Sequence, residues 1–239
     1  MIACELNPQR RIEVRSVGAE KTPVVLMDDV LAAPEALVDH AAREARFSHE
    51  HVQAYPGVRA PLPPEYAATL MPELRRIVSE VYRPLGERDL RIVQQLFSLV
   101  ARSPQTLDLL QRMPHFDSND PFYFATVHFL NRGDFAGTGI FRHRPTGFES
   151  ISRQRYEHFV RAAKQHVQSH GEPPPAYIVG SDDHFELIET LEYRPNRLLL
   201  YPGYLLHSGL IDPGRDVSAD PATGRLTANL FFMPEGAAN

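Results

Sequence analysis

Near Leu90 the apolar pattern of the chain changes period, and that change limits the folds open to it. Upstream, Leu37, Val38, Ala41 and Ala45 recur at helical spacing after an Ala33-Pro34-Glu35 opening. Leu70, Leu74, Ile77, Val78 and Val81 do the same between residues 64 and 82. Such spacing puts apolar side chains on one face of a helix, and proline with an acid in the first turn suits a helix start. Downstream, runs dense in β-formers follow one another at 91–101, 123–130, 137–144, 184–193, 197–201, 204–211 and 225–233. A short apolar run at 22–31 predicts one strand ahead of the first helix, and the proline-rich segment 54–64 reads as irregular. Within the strand-rich part only 149–170 reads as a helix, with Tyr156, Phe159, Val160, Ala163 and Val167 on one face. It stops at Gly171 and the Pro173-Pro174-Pro175 run. Many short strands without a strand–helix–strand rhythm predict an α+β chain whose strands close into a sandwich or jelly roll.

With 239 residues, 43% of them hydrophobic, the chain has material for one large core. The expected division is a strand and helices over 1–90, core strands over 91–144 and 184–233, and a helical insertion over 145–183. A net charge of −5 argues against nucleic acid as a partner. Cys4 is the single cysteine, which excludes an intramolecular disulfide; it lies near a terminus expected to be mobile. No apolar run is long enough to span a membrane, and Met1 to Arg10 lack the apolar core of a signal peptide, so the expected location is the cytoplasm.

Residues 113–119 carry the chemistry. His115 and Asp117, two apart, share one face if this stretch is an extended strand. With His207 they would make a facial triad of two imidazoles and one carboxylate, which leaves open positions on a non-haem iron(II) for substrates and O₂. A rival pair, His184-Phe185-Glu186, sits among Asp182, Asp183 and Glu189 and has too little chain after it to build the same arrangement; it reads as a solvated strand end. His166 and His170 have i, i+4 spacing without the glutamate of a zinc-protease helix, and read as a solvent face. Phe141-Arg142-His143-Arg144 is either a charged sheet edge or a seat for an acidic substrate group.

The ordered set of motifs resembles the iron(II)/2-oxoglutarate-dependent oxygenases, in particular their prolyl-4-hydroxylase-like branch. It comprises Val24 to Leu31 with the following helix, His115-x-Asp117, Thr126-Val127-His128-Phe129-Leu130-Asn131, Leu198 to His207, and Arg225-Leu226-Thr227. The resemblance implies a double-stranded β-helix (jelly roll) and an iron(II) held by His115, Asp117 and His207. It also implies that Arg225 and the Thr227 hydroxyl clamp the distal carboxylate of 2-oxoglutarate. The implied reaction oxidises a small-molecule or peptide substrate with O₂ while 2-oxoglutarate becomes succinate and CO₂. Asp117 stands where a halogenase would have a small residue. Two departures go with this. Phe129 stands where relatives often place a cosubstrate-binding tyrosine, a role open to Tyr123, Thr126 or His128. Arg225 lies 18 positions after His207, so 212–224 is expected to bulge out as a solvated loop, and Arg215 is the alternative clamp. A non-catalytic binding module, or a cupin-like metalloenzyme without 2-oxoglutarate, would keep the same shell. No motif names the substrate or the oligomeric state.

Overall fold

The structure is a computed structural model that describes residues 2, 4–49, 55–82 and 89–236. Its strands pair antiparallel in two sheets, with three α-helices among the described residues. In chain order the elements begin with β1 (Arg11–Val17), β2 (Thr22–Asp28), α1 (Glu35–Arg43), β3 (Ser48–His49), β4 (Gly57–Pro61), α2 (Pro64–Val81) and β5 (Leu90–Val100). They continue with β6 (Phe124–Phe129), β7 (Thr138–His143), α3 (Arg153–His170), β8 (Phe185–Leu191), β9 (Arg197–Pro202), β10 (His207–Gly209) and β11 (Thr227–Pro234). The large sheet has the order β1-β2-β9-β6-β11-β5-β4-β3 and the small one β10-β7-β8. From β5 onward the chain alternates between them: β6, β9 and β11 join the large sheet, whereas β7, β8 and β10 form the small one.

Side chains along a strand alternate between faces, so each inner strand of the large sheet feeds two cores. Leu198 and Leu200 join Leu70, Leu74, Ile77 and Val78 of α2 in an outer core beneath the helices. Their neighbours Leu199 and Tyr201 turn the other way, to Phe129 and Ile140 between the sheets. The helix face predicted from spacing is the face that is buried; each of its leucines, wholly enclosed, is worth about 2 kcal/mol of apolar transfer. α3 has no buried residue and lies on the outside.

Several expectations need correction. The segment read as irregular contains β4, while its residue 54 lies outside the described residues. Gly57 lets β4 press against β5, since a Cβ there would lie 1.9 Å from the Leu99 carbonyl oxygen. β1 was not expected; it pairs with β2 at the sheet edge and leaves Val14 51% exposed. The helix read from 149 starts at Arg153, because Glu149 to Ile151 run extended beside 204–206: Leu206 N–H donates to Glu149 O and Ile151 N–H to Tyr204 O. The strand read over 204–211 shortens to β10. β7 is no sheet edge but the middle strand of its sheet, with Arg142 paired to Glu149 and Glu186. The 212–224 loop is pinned by Asp216, which is fully buried and accepts from Ala136 N–H and Asp212 N–H. Cys4 is half-buried against the outer core, and its carbonyl accepts from Thr69.

Candidate metal centre

Two short 3-10 turns, Pro104–Thr106 and Leu109–Arg112, carry the chain from β5 to His115. The stretch around His115 is not a strand of its own. His115 instead exchanges both backbone hydrogen bonds with His207, each 2.9 Å, and so extends the small sheet beyond β10 by one bridge. Asp117 is fixed to the turn before β10: its N–H donates to Gly203 O at 2.7 Å, and Gly203 N–H donates to Tyr123 O at 2.7 Å. The two halves of the candidate triad are thus locked by main-chain bonds, independent of any bound ion.

His115, Asp117 and His207 each offer a donor atom, and those atoms lie within 4.8 Å of one another. Asp117 is central: its Oδ1 is 3.8 Å from His115 Nε2 and its Oδ2 is 3.7 Å from His207 Nε2. His207 Nδ1 lies 2.8 Å from the Leu205 carbonyl oxygen, which can only accept. Nδ1 therefore carries a proton, which leaves Nε2 as the ring atom that faces Asp117. Tyr201 packs against the same ring at 4.7 Å.

The electrostatics fit a cation. Asp117 Oδ2 is buried without a hydrogen-bond partner. Burial pushes the Asp117 carboxyl above its ordinary range, and the His207 and Arg59 charges offset only part of this. Burial first, then His207 and Arg59, push His115 down to about 3. About half of the His115 side chain is open, but that surface faces a recess whose walls are protein, so the desolvation dominates. A divalent ion reverses the balance, because it favours the carboxylate and the neutral imidazoles together. Two imidazoles and one carboxylate match a non-haem iron(II) site with open positions.

The triad opens on a cavity of about 340 Å³, of a size for a small ligand. Among the described residues that line it, Asp117 is the only carboxylate, against two arginines, Arg225 and Arg59. Arg225 is buried just ahead of β11; it donates from Nε to Ala136 O at 2.7 Å and from a terminal nitrogen to Gly137 O at 3.3 Å. Its guanidinium lies over the rings of Phe129, at 5.2 Å, and Tyr193, at 6.0 Å. Phe129, placed where a tyrosine was expected, is thus a platform for the arginine. Thr227 follows on the same face and lines the same cavity. Of the three stand-ins for the missing tyrosine, only Tyr123 lines it. Thr126 is spent on the Leu230 backbone, and His128 is held on the outer face by Tyr66 and Asn196.

Residues 8–232 match a family described as "Family of unknown function (DUF6445)". The chain belongs to that family. No curated protein matches this DUF6445 chain. Among solved structures it is similar to HygX from Streptomyces hygroscopicus with nickel and 2-oxoglutarate bound. The identity is 13% and the TM-score 0.44, over 91% of this chain and 85% of that one. It is also similar to HygX with nickel, 2-oxoglutarate and hygromycin B bound, at 12% identity and TM-score 0.41, over 95% and 83% of the two chains. With iron bound, HygX matches at 13% identity and TM-score 0.43, over 95% and 82%.

Elsewhere in the DUF6445 chain the rival candidates go to other partners. Arg215 pairs with Asp134 at 2.8 Å and does not line the cavity. Glu186 pairs with Arg142, while His184 packs its ring against His166. His166 and His170 stack on each other at 3.9 Å, and among the described residues the single group spaced to hold a metal is His115, Asp117 and His207. The residues missed in the sequence are Arg59, which stacks on Tyr55 at 4.1 Å, and the cavity-lining Gln94, Tyr177 and Asn229. Asn229 had a signal, since it continues the i, i+2 row of Arg225 and Thr227. Arg59 was hidden in proline-rich sequence that conceals β4.

Proposed function

We propose that this DUF6445 protein is an iron(II)- and 2-oxoglutarate-dependent oxygenase, a hydroxylase of a small-molecule or peptide substrate. The observation that carries the reading is the convergence of His115, Asp117 and His207 on one cavity that also contains the buried cation of Arg225. The alternation of strands between two sheets supports a single jelly-roll domain, and the ordered motifs support the prolyl-4-hydroxylase-like branch. The ligands seen in HygX belong to HygX; the reading for this chain rests on its own residues.

His115, Asp117 and His207 would hold the iron, and when bound, iron(II) with 2-oxoglutarate and O₂ supplies the oxidation. The chain's own part is positioning. Arg225 has five N–H donors, of which two are spent on carbonyls. The rest suffice for a forked pair to the distal carboxylate of 2-oxoglutarate, and burial strengthens that pair by keeping water out. Thr227 adds a hydroxyl on the same strand face, and Tyr123 stands at the metal end of the cavity as a further donor. His207 is kept in its ligating tautomer by Leu205 O.

The test is iron(II)-dependent release of succinate from 2-oxoglutarate by purified protein, expected to vanish in His115→Ala. The carbonyl contacts of Arg225 favour one competing reading, in which the arginine is purely structural and the protein is a cupin-like metalloenzyme. Nickel(II) that raises the melting temperature, with no further rise on adding 2-oxoglutarate, selects that alternative.

A further inference from the structure

β1 closes one side of the large sheet, and among the described residues no strand lies beyond it. It pairs with β2 through all seven residues, from Arg11 opposite Asp28 to Val17 opposite Thr22, without a register shift. Every second residue of such a strand turns its N–H and C=O away from β2, where they form a row for another strand to pair with. The side chains on one face include Ile12 and Val14, 39% and 51% exposed. They lie opposite Met27 and Val25 of β2, so they carry the apolar surface of the outer core to the rim of the sheet and leave it open there.

Sheet edges are commonly blunted by proline, a bulge, lysines or other charges. β1 has no proline, bulge or lysine; its guard is charge, and the charges alternate in sign as Arg11, Glu13 and Arg15 along the other face. Such a row repels a strand with the wrong charges and admits one that complements it. A second β1, running antiparallel, complements it in one full-length register. Residues directly opposite share a face in an antiparallel pair, so the two strands can slide only in steps of two residues. With Val14 opposite Val14 on a two-fold axis, Glu13 faces Arg15 and Arg15 faces Glu13, while Ile12 faces Ser16 and lies diagonal to the partner's Val14. A slide of two residues one way sets Glu13 against Glu13 and Arg11 against Arg15; the other way sets Arg15 against Arg15. A slide of four pairs Arg11 with Glu13 but keeps only Arg11 to Glu13 of each strand in contact. Within one chain Glu13 and Arg15 already bond to each other at 2.6 Å, with 56% and 34% of their side chains exposed. Each can therefore exchange that partner for the equivalent group of a second copy.

We propose that β1 is an interface to a second copy of this chain, in which two β1 strands pair antiparallel about a two-fold axis at Val14 and join the two large sheets edge to edge. Main-chain hydrogen bonds and the Val14 and Ile12 side chains hold the strands together, and the Glu13–Arg15 pairs set the register. The contact is one strand wide, which puts it among the weak, transient interfaces, with a Kd on the order of 100 μM. None of the β1 residues is among the described residues that line the metal cavity, so the dimer stands apart from the oxygenase reading.

Analytical ultracentrifugation of the full chain, from about 1 μM to 1 mM, is the test. The wild type is expected to pass from monomer to dimer and to stop there, because a two-fold contact uses up the edge that makes it. Glu13→Arg or Arg15→Glu sets like charges opposite each other twice per dimer, and each should weaken association about tenfold. The double variant Glu13→Arg/Arg15→Glu restores both pairs in the proposed register and should recover wild-type association, which also shows that the substituted strand still folds. A monomer throughout, growth beyond the dimer, single variants that associate like the wild type, or a double variant that does not recover overturns the proposal.

Discussion

Asp117 is the residue on which the site turns, because its carboxylate bears the cost of burial and the metal would remove it. Its raised pKa means that, without metal, ionising it in the folded state is harder than in the unfolded chain. The folded protein then loses stability as pH rises through the carboxylate range. Asp117→Asn is therefore expected to hold or raise the unfolding free energy of chelator-treated protein, by up to about 1 kcal/mol. The same variant should abolish the increment that nickel(II) gives the wild type. A normal nickel response in thermal unfolding would remove Asp117 from the ligand set. Arg225→Lys tests the other pole of the cavity. Lysine has no fork and no Nε to reach Ala136 O, so the apparent KM for 2-oxoglutarate should rise at least tenfold in succinate-release assays. An unchanged KM would assign the clamp elsewhere. These residues were legible because each carries chemistry that its spacing makes specific. Arg59 was not, since one arginine in a proline-rich segment has no pattern to declare it.

Elements were legible where local pattern and tertiary packing agree. α1 and α2 show their buried faces in the sequence; β6, β7 and β8 fall within the β-rich runs, and β5 and β9 overrun theirs by one residue. The misses came where pairing with a distant segment decides the conformation. β4 exists because β5 lies beside it, and residues 149–151 stay extended because 204–206 take their hydrogen bonds. His115 reaches its place through a single bridge to His207 and not through a strand. That bridge depends on the turn at Gly203, where a Cβ would come within 2.6 Å of the Tyr123 ring. Gly203→Ala is thus expected to push Tyr123 and the Asp117 segment apart, at a cost of about 1–3 kcal/mol. Weaker nickel affinity should accompany the loss, although no ligand is altered. Calorimetric titration that finds wild-type nickel affinity in this variant would show that the turn does not position the site.

For the whole molecule, stability in acid should fall in two stages with separate chemistry. His128 is wholly buried; one ring nitrogen contacts Tyr66 Oη at 3.0 Å and the other contacts Asn196 Oδ1 at 3.1 Å. Asn196 in turn holds the Leu31 backbone, so the ring ties α2 through the sheet to the segment before α1. Asn196 Oδ1 can only accept, which fixes the proton on the facing nitrogen and leaves the other to accept from Tyr66. A second ring proton would turn the Tyr66 hydroxyl into an acceptor and leave its own buried hydrogen to find another partner. Burial accordingly holds His128 down to about 4. His143 is also held down to about 4, by burial and then by the neighbouring His166, His184 and His158. The unfolded chain binds these protons near the ordinary imidazole value, and the folded one refuses them until near pH 4. The associated stability is complete above about pH 6.5 and is lost as pH falls to about 4, up to about 3 kcal/mol for the enclosed His128 ring and less for His143, whose neighbouring imidazoles titrate with it. Carboxylates act later. Asp28, lowered by its bonds to Arg197, and Glu73, lowered by Arg76 and Arg10, contribute above the carboxylate range and fail below it. Urea unfolding of chelator-treated protein should therefore show a midpoint that declines between pH 6.5 and 4.5, before the carboxylates titrate. The decline should become shallower in His115→Ala, whose ring is also held down to about 3, but should persist, since His128 and His143 supply it from the core. A midpoint constant over that window would mean that the Tyr66–His128–Asn196 chain accepts a proton, and that the α2 tie is looser than its geometry requires.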